Sequence, residues 1–307
     1  MSQYYVGVDV GGTTVKMGLF SDIGELLEKW EIPTRLEDHG SHILADIVDS
    51  MEEKRAERGG NIKGIGVGIP GPVTDDGVVL KCANLGWDVF NVKKEIAWLT
   101  GVGNIKIGND ANVAALGEMW KGGGRGYDSI VMVTLGTGVG GGIIYQGKIL
   151  SGIKGAAGEI GHTKVNMNET EQCGCGNKGC LEQYVSATGI VRMAKQNLRE
   201  DSCLTGKEIT AKAVFDGAKE GDAYCLEVVE QFGKYLGLAL SNVAHVIDPE
   251  AFVIGGGVSA AGQIILDVVE KYYNQNAMYA LKDRQFHLAQ LGNDAGIYGT
   301  VRMVMFN

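Results

Sequence analysis

Proline is scarce in this chain, four residues in 307. That excludes a proline-rich linker or a polyproline recognition segment. No stretch approaches the ~20 consecutive apolar residues that a membrane-crossing helix needs. The first ten residues have neither the basic flank nor the long apolar region of a secretory signal. Cations are outnumbered, 28 Lys and Arg against 37 Asp and Glu, for a net charge of -9. A nucleic-acid-binding face needs clustered cations to neutralise phosphates, and here they are scattered. These absences predict a cytoplasmic protein with neither membrane nor nucleic acid as partner. In that reducing compartment the six cysteines are not expected to form disulfides.

Glycine is abundant instead, at 48 residues about double the usual share. The glycines gather beside apolar runs, where a backbone turns tightly or approaches a ligand. The run 5–10 reads as a strand, 11–13 as a turn and 15–20 as the returning strand. Ile43, Leu44, Ile47, Val48 and Met51 recur at helical spacing within 41–58. A buried strand follows at 64–69, ending in Pro70-Gly71-Pro72. Another at 104–107 leads into Asn109-Asp110 and a helix over 111–120. The second half repeats the opening: strand 129–135, a glycine turn 136–142, strand 143–145. Helical patterns then cover 189–198 and 226–246, and a strand at 251–254 runs into Gly255-Gly256-Gly257. Strands alternating with helices predict an α/β architecture. The repeated strand–turn–strand opening predicts two related lobes with a ligand cleft between them.

Two of the glycine turns are candidate phosphate cradles. Asp9-Val10-Gly11-Gly12-Thr13, with Lys16 beyond, offers backbone N–H groups, a hydroxyl and an acid suited to hydrated Mg²⁺. The turn from Leu135 to Gly142 offers the same from the other half, apart from the acid. Its Gly136, Gly138 and Gly141 also satisfy the dinucleotide pattern G-x-G-x-x-G, with Glu159 near the expected distance. That pattern demands a helix directly after the glycines. Ile143-Ile144-Tyr145 is β-prone, so a nicotinamide enzyme is rejected.

The stretch from Glu159 to Glu182 holds His162, Cys173, Cys175 and Cys180. Three thiolates and an imidazole are the ligand set of a closed, structural zinc site. The alternatives are a disulfide among Cys173, Cys175 and Cys180, or three idle thiols; Cys-x-Cys is a strained disulfide partner. Cys82, Cys203 and Cys225 stand alone and read as small buried hydrophobes. Glu159 and Glu182 flank the ligand set without belonging to it. Asp110, between a strand and a helix, suits either catalysis or an N-cap.

Together these motifs resemble the ROK family (repressors, open reading frames and kinases) within the hexokinase–actin-like ATPase fold. The resemblance covers nearly the whole chain, through the Asp9 to Thr13 turn, the Gly68 to Pro72 run, Asn109-Asp110, the Leu135 to Gly142 turn, Glu159 to His162, the cysteine run and Gly255 to Gly257. The cysteine run Cys173 to Glu182 is similar to that of bacterial ATP-dependent glucokinases in this family. The resemblance implies an α/β, two-lobed actin-like ATPase (hexokinase/ribonuclease H-like) fold. Residues 1–110 with a C-terminal helix at about 293–307 would form the small lobe, and 111–292 the large lobe with the zinc. It implies transfer of the γ-phosphate of ATP to the 6-hydroxyl of glucose, with Asp110 as general base. Asp9, Gly11, Gly12, Thr13, Lys16, Thr137, Gly138, Gly255, Gly256 and Gly257 would hold the nucleotide and its Mg²⁺. Gly71, Asn84, Asn109, Asp110, Glu159, His162 and Glu182 would hold the sugar. Zn²⁺ would sit on His162, Cys173, Cys175 and Cys180. A homodimer is also implied.

Two alternatives follow from the same resemblance. One is another hexose or hexosamine as substrate: N-acetylmannosamine, N-acetylglucosamine, allose or fructose. The other is a sugar-sensing repressor, which would carry an N-terminal helix-turn-helix domain. A phosphate turn starting at Asp9 leaves no room for one.

Overall fold

The structure, a computed structural model, describes residues 2–306. It opens with three strands, β1 (Gln3–Val10), β2 (Thr14–Ser21) and β3 (Leu26–Pro33). A single helical turn α1 (Glu37–Gly40) and the helix α2 (Ile43–Arg58) lead to β4 (Asn61–Ile69). Two short strands, β5 (Val78–Val79) and β6 (Phe90–Asn91), pair ahead of α3 (Val92–Thr100). Next come β7 (Ile105–Asn109) and α4 (Asp110–Lys121). The second half starts with β8 (Ile130–Leu135), β9 (Val139–Tyr145) and β10 (Lys148–Ile149). Four helices follow: α5 (Glu182–Val185), α6 (Ala187–Gln196), α7 (Ala211–Lys219) and α8 (Ala223–Ile247). The chain closes with β11 (Ala251–Gly255), α9 (Gln263–Asn276), β12 (Gln285–Leu288) and α10 (Ala295–Met305). Among the described residues no helix is long and apolar enough to cross a membrane.

Two five-stranded sheets are ordered β3-β2-β1-β4-β7 and β10-β9-β8-β11-β12. In the first, β1 is antiparallel to β2 and parallel to β4. In the second, β11 is parallel to both β8 and β12. The shared strand order is the duplication that the repeated strand–turn–strand openings predicted. The α/β class is as expected.

Contacts divide the chain into two compact units, Met1–Gly126 with Gly142–Gly158 and Leu291–Asn307, and Tyr127–Gly141 with Glu159–Gln290. This partition differs from the lobes expected above: α4 and residues 142–158 go with the first unit. The reason for α4 is its close crossing with α10. A Cβ on Gly117 would lie 2.2 Å from the carbonyl oxygen of Ala295, and one on Gly299 1.6 Å from that of Val113. Bare backbone on both helices allows that approach.

Within the first unit, β1 is buried on both faces, and its period-2 alternation sorts the two. Val6, Val8 and Val10 join the core built with Ile43, Leu44 and Ile47 of α2. Tyr5 packs instead with Phe20, Ile297, Val301 and Val304 on the α10 side. Gly7 keeps that side open, since a Cβ there would lie 2.4 Å from the carbonyl oxygen of Ile297. Asp9, two residues on, shares this face and so reaches the start of α10. In the second unit β11 is fully buried, and Phe252 stacks on Phe286 and meets Tyr273 edge-on.

Candidate active site

In the first unit, Gly11-Gly12-Thr13 turns β1 into β2. The Gly11 N–H donates to the Thr14 carbonyl at 3.0 Å. Thr34 braces the turn, its N–H donating to the Thr13 carbonyl at 2.9 Å and its hydroxyl to the Gly11 carbonyl at 2.7 Å. Gly12 and Thr13 are left exposed. The antiparallel register sets Lys16 opposite Asp9. Burial of the Asp9 carboxyl, and then the nearby Asp110 carboxylate, push its pKa up to about 6, while Lys16 pulls it down. A Cβ on Gly296 would lie 2.4 Å from Asp9 Oδ2, so only glycine leaves room for the carboxylate there.

Asn109, not Asp110, caps α4: its Oδ1 accepts from the Asn112 N–H at 3.1 Å. Asp110 is therefore the first residue of the helix, where the aligned peptide dipoles favour negative charge. Its Oδ1 accepts from the Ala111 N–H at 2.8 Å and from Asn109 Nδ2 at 2.9 Å. The same Nδ2 donates to the Gly71 carbonyl at 3.1 Å, and Gly71 itself sits at φ 107°, a glycine conformation. The structure thus brings Gly71, Asn109 and Asp110 together. Asn84, exposed, stands on the 3-10 turn Ala83–Leu85 that follows Cys82 and buries Leu85. Burial pushes the Cys82 thiol up, and the Asp110 carboxylate adds to it, which places that segment within electrostatic reach of Asp110.

In the second unit the glycine turn is shorter than expected, because β9 already begins at Val139. The Gly136 N–H closes it onto the Gly138 carbonyl at 3.0 Å. Glu182 Oε2 accepts from the Val139 N–H at 3.0 Å, and a Cβ on Gly138 would lie 2.4 Å from that oxygen. Gly255 ends β11, and Gly256, at φ 83°, lies against the Leu135 backbone, where a Cβ would come within 2.5 Å. A cavity of about 420 Å³ is lined by Gly136, Thr137, Ala187, Phe215, Gly257 and Val258. Two of the three glycine stretches predicted to hold a nucleotide, those of the second unit, therefore line one cavity.

The ligand atoms of His162, Cys173, Cys175 and Cys180 all lie within 4.8 Å of one another. His162 Nδ1 is 3.7 Å from Cys173 Sγ, and Cys175 Sγ is 3.6 Å from Cys180 Sγ. Tetrahedral zinc with bonds of about 2.0–2.3 Å separates its ligands by about 3.4–3.8 Å, so the donor set fits. Burial pushes the Cys180 thiol up to about 12 without a cation, the neighbouring thiols adding to it. Glu159 precedes the 3-10 turn Ile160–His162 and is exposed; Glu182 is half-buried, with Cys173 Sγ 3.7 Å from its Oε1. The loop is fastened from behind. Gln183 Oε1 accepts from the Gly179 and Cys180 N–H groups, and Arg192 reaches Glu169 at 2.8 Å and Glu171 at 2.9 Å. Bonding to Arg192 takes the Glu169 carboxyl down to about 2.

The profile of the ROK family matches residues 5–306. The chain belongs to the ROK family. It is 43% identical to a glucokinase of Halalkalibacterium halodurans, over 97% of this chain and 93% of that one. It is 34% identical to a glucokinase of Thermotoga maritima, over 97% and 96%. Among solved structures it matches a ROK family glucokinase from Streptomyces griseus, in complex with glucose and AMPPNP, at TM-score 0.73 and 32% identity, covering 99% of this chain and 100% of that one. The fold is the actin-like ATPase fold of these ROK neighbours, as expected.

Sequence reasoning missed several residues of this ROK chain. Ala187 and Phe215 line the cavity of about 420 Å³, yet an apolar residue on an amphipathic helix carries no sign of a ligand. Glu182 was assigned to the sugar, but its carboxylate also braces the second turn. Cys203 and Cys225 do not stand alone. Their sulfurs are 3.9 Å apart, with Asp222 beside them, because the Asp222 carboxylate accepts from both backbone N–H groups.

Proposed function

We propose that this ROK chain transfers the γ-phosphoryl group of ATP to the 6-hydroxyl of glucose. The observation that carries the reading is the Asp9–Asp110 pair: one carboxylate at a glycine turn feels the charge of another at the start of α4. Phosphoryl transfer calls for both, one acidic group toward the metal and one toward the attacking hydroxyl. Asp110 accepts the proton of the 6-hydroxyl, the oxygen bonds to Pγ in line, and the Pγ–O bond to ADP breaks. Asn109 holds Asp110 in place through Nδ2. The turn amides and the hydroxyls of Thr13 and Thr137 hold phosphate oxygens, with Lys16 near Asp9. Asp9 would hold a hydrated Mg²⁺, which would supply charge neutralisation at the phosphates.

Asn84, Asn109, Glu159, His162 and Glu182 supply donors and acceptors to the sugar hydroxyls. His162, Cys173, Cys175 and Cys180 would hold Zn²⁺, whose closed ligand set leaves it a structural part. With Nδ1 toward the metal, His162 keeps Nε2 for the sugar. A homodimer belongs to the same reading, and sedimentation should then report twice the 32.6 kDa chain mass.

The test is ADP release coupled to a detection enzyme, across glucose, allose, fructose, N-acetylglucosamine and N-acetylmannosamine. Glucose should give the highest kcat/KM. A higher value for an acetylated hexosamine would reassign the substrate, and sugar-independent ADP release alone would overturn the kinase.

A further inference from the structure

The second glycine turn hangs on the α5–α6 segment. The Ala187 N–H donates to the Gly136 carbonyl at 2.8 Å, and the Thr188 hydroxyl to the Thr137 carbonyl at 2.9 Å. Glu182 takes the Val139 N–H, and the Gly136 N–H is used inside the turn. A trans peptide directs its carbonyl and the following N–H to opposite sides. Tying back the carbonyls of Gly136 and Thr137 therefore turns the N–H groups of Thr137 and Gly138 the other way. Among the described residues neither N–H has a protein acceptor. Two adjacent free amides at a glycine turn form a concavity that receives an anion; Thr137 lines the 420 Å³ cavity, and Gly138 follows it in the chain.

We infer that Thr188 is a positioning residue for the nucleotide: its hydroxyl holds the Thr137–Gly138 peptide plane so that the Gly138 N–H faces a phosphate oxygen. The inference rests on the nucleotide reading of this cavity. Of the three ties, Thr188 provides the cleanest handle. The Ala187 tie is backbone, and Glu182 is also assigned to the sugar. Thr188 is exposed, outside the Cys/His cluster, and its side chain can change without opening a core.

Thr188→Val removes the donor at nearly constant volume, while Thr188→Ser keeps it. The valine variant should raise KM for ATP roughly five- to tenfold, the weight of one hydrogen bond, with KM for glucose and zinc content unchanged. Its affinity for AMPPNP, measured by calorimetry, should fall by the same factor, and Thr188→Ser should restore both. A wild-type KM for ATP in Thr188→Val would overturn the inference. So would equal rises in both KM values, or a serine variant as impaired as the valine one. Wild-type protein that binds no AMPPNP would instead bring down the nucleotide reading itself, before any variant is compared.

Discussion

In the proposed mechanism Asp9 would meet opposing demands: a buried carboxyl is favoured neutral, whereas a partner of hydrated Mg²⁺ must be ionised. Its pKa of about 6 lies above the ordinary 3.8. The native state therefore holds this proton more tightly than the unfolded chain, and ligand-free stability drops as pH rises from about 4 to about 6. The shift corresponds to up to about 3 kcal/mol. Asp9→Asn should abolish that drop and be more stable than the wild type above pH 6, while losing activity. Thermal melts across pH 4 to 8 check this; parallel curves for the two proteins would refute it. Asp110 is not the cap of α4, since Asn109 takes that role. Asp110→Asn should lower kcat by roughly 100-fold or more, the usual weight of a general base, with glucose affinity within a few fold by calorimetry. Retained turnover would remove Asp110 from the mechanism. Both aspartates were visible in the sequence as candidates. The capping ambiguity at Asp110 was not soluble there, because Asn109 and Asp110 are both good caps and only the helix start decides between them.

At the scale of elements, two packing arrangements hold the site. The first is the α4–α10 crossing, which places Asp110 at one helix start and Gly296, against Asp9, at the other. Gly299→Ala would drive a Cβ into the Val113 carbonyl, and overpacking there should cost about 3 kcal/mol by denaturant titration. A neutral result would mean the helices separate easily. The second is the Cys/His loop, braced by Gln183 and Arg192. Elemental analysis should find one zinc per chain in the wild type and none in Cys175→Ser, with a lower melting temperature in the variant. Zinc-free wild-type protein would contradict the assignment. The ligand types and spacing made this cluster legible in sequence. The bracing was not, because Glu169, Glu171 and Arg192 look like ordinary surface charges until the helix following the loop folds back on it.

For the molecule as a whole, binding to the native state alone adds stability by mass action. Glucose or AMPPNP at about 100 times its Kd should each add about 2.7 kcal/mol, seen as a rise in melting temperature. A ligand with no such effect is not bound by the folded protein. The glycine excess is explained at this scale too. Gly7, Gly117 and Gly299 serve helix–sheet and helix–helix approach and not phosphate binding. Gly142 was read as part of a turn, yet it lies in β9 with Ala115 Cβ 2.6 Å from where its own Cβ would stand. One residue type performs both tasks, so sequence alone assigns a glycine to a turn or to a packing face only by its neighbours.

The sequence by itself determined the α/β alternation, the duplicated opening, the two glycine turns and the cluster of three cysteines and a histidine. Each of these is written locally, in side-chain period, in glycine beside a strand end or in ligand type. Tertiary structure alone decided that Asn109 caps α4 while Asp110 begins it, that Glu182 reaches the Val139 amide, that Thr188 holds the Thr137 carbonyl, and that Cys203 meets Cys225. Most of these pair residues far apart in the chain, and even the Asn109–Asp110 choice waits on where the packed helix starts. A hydroxyl or carboxylate carries no mark of its partner until the backbone between them has folded.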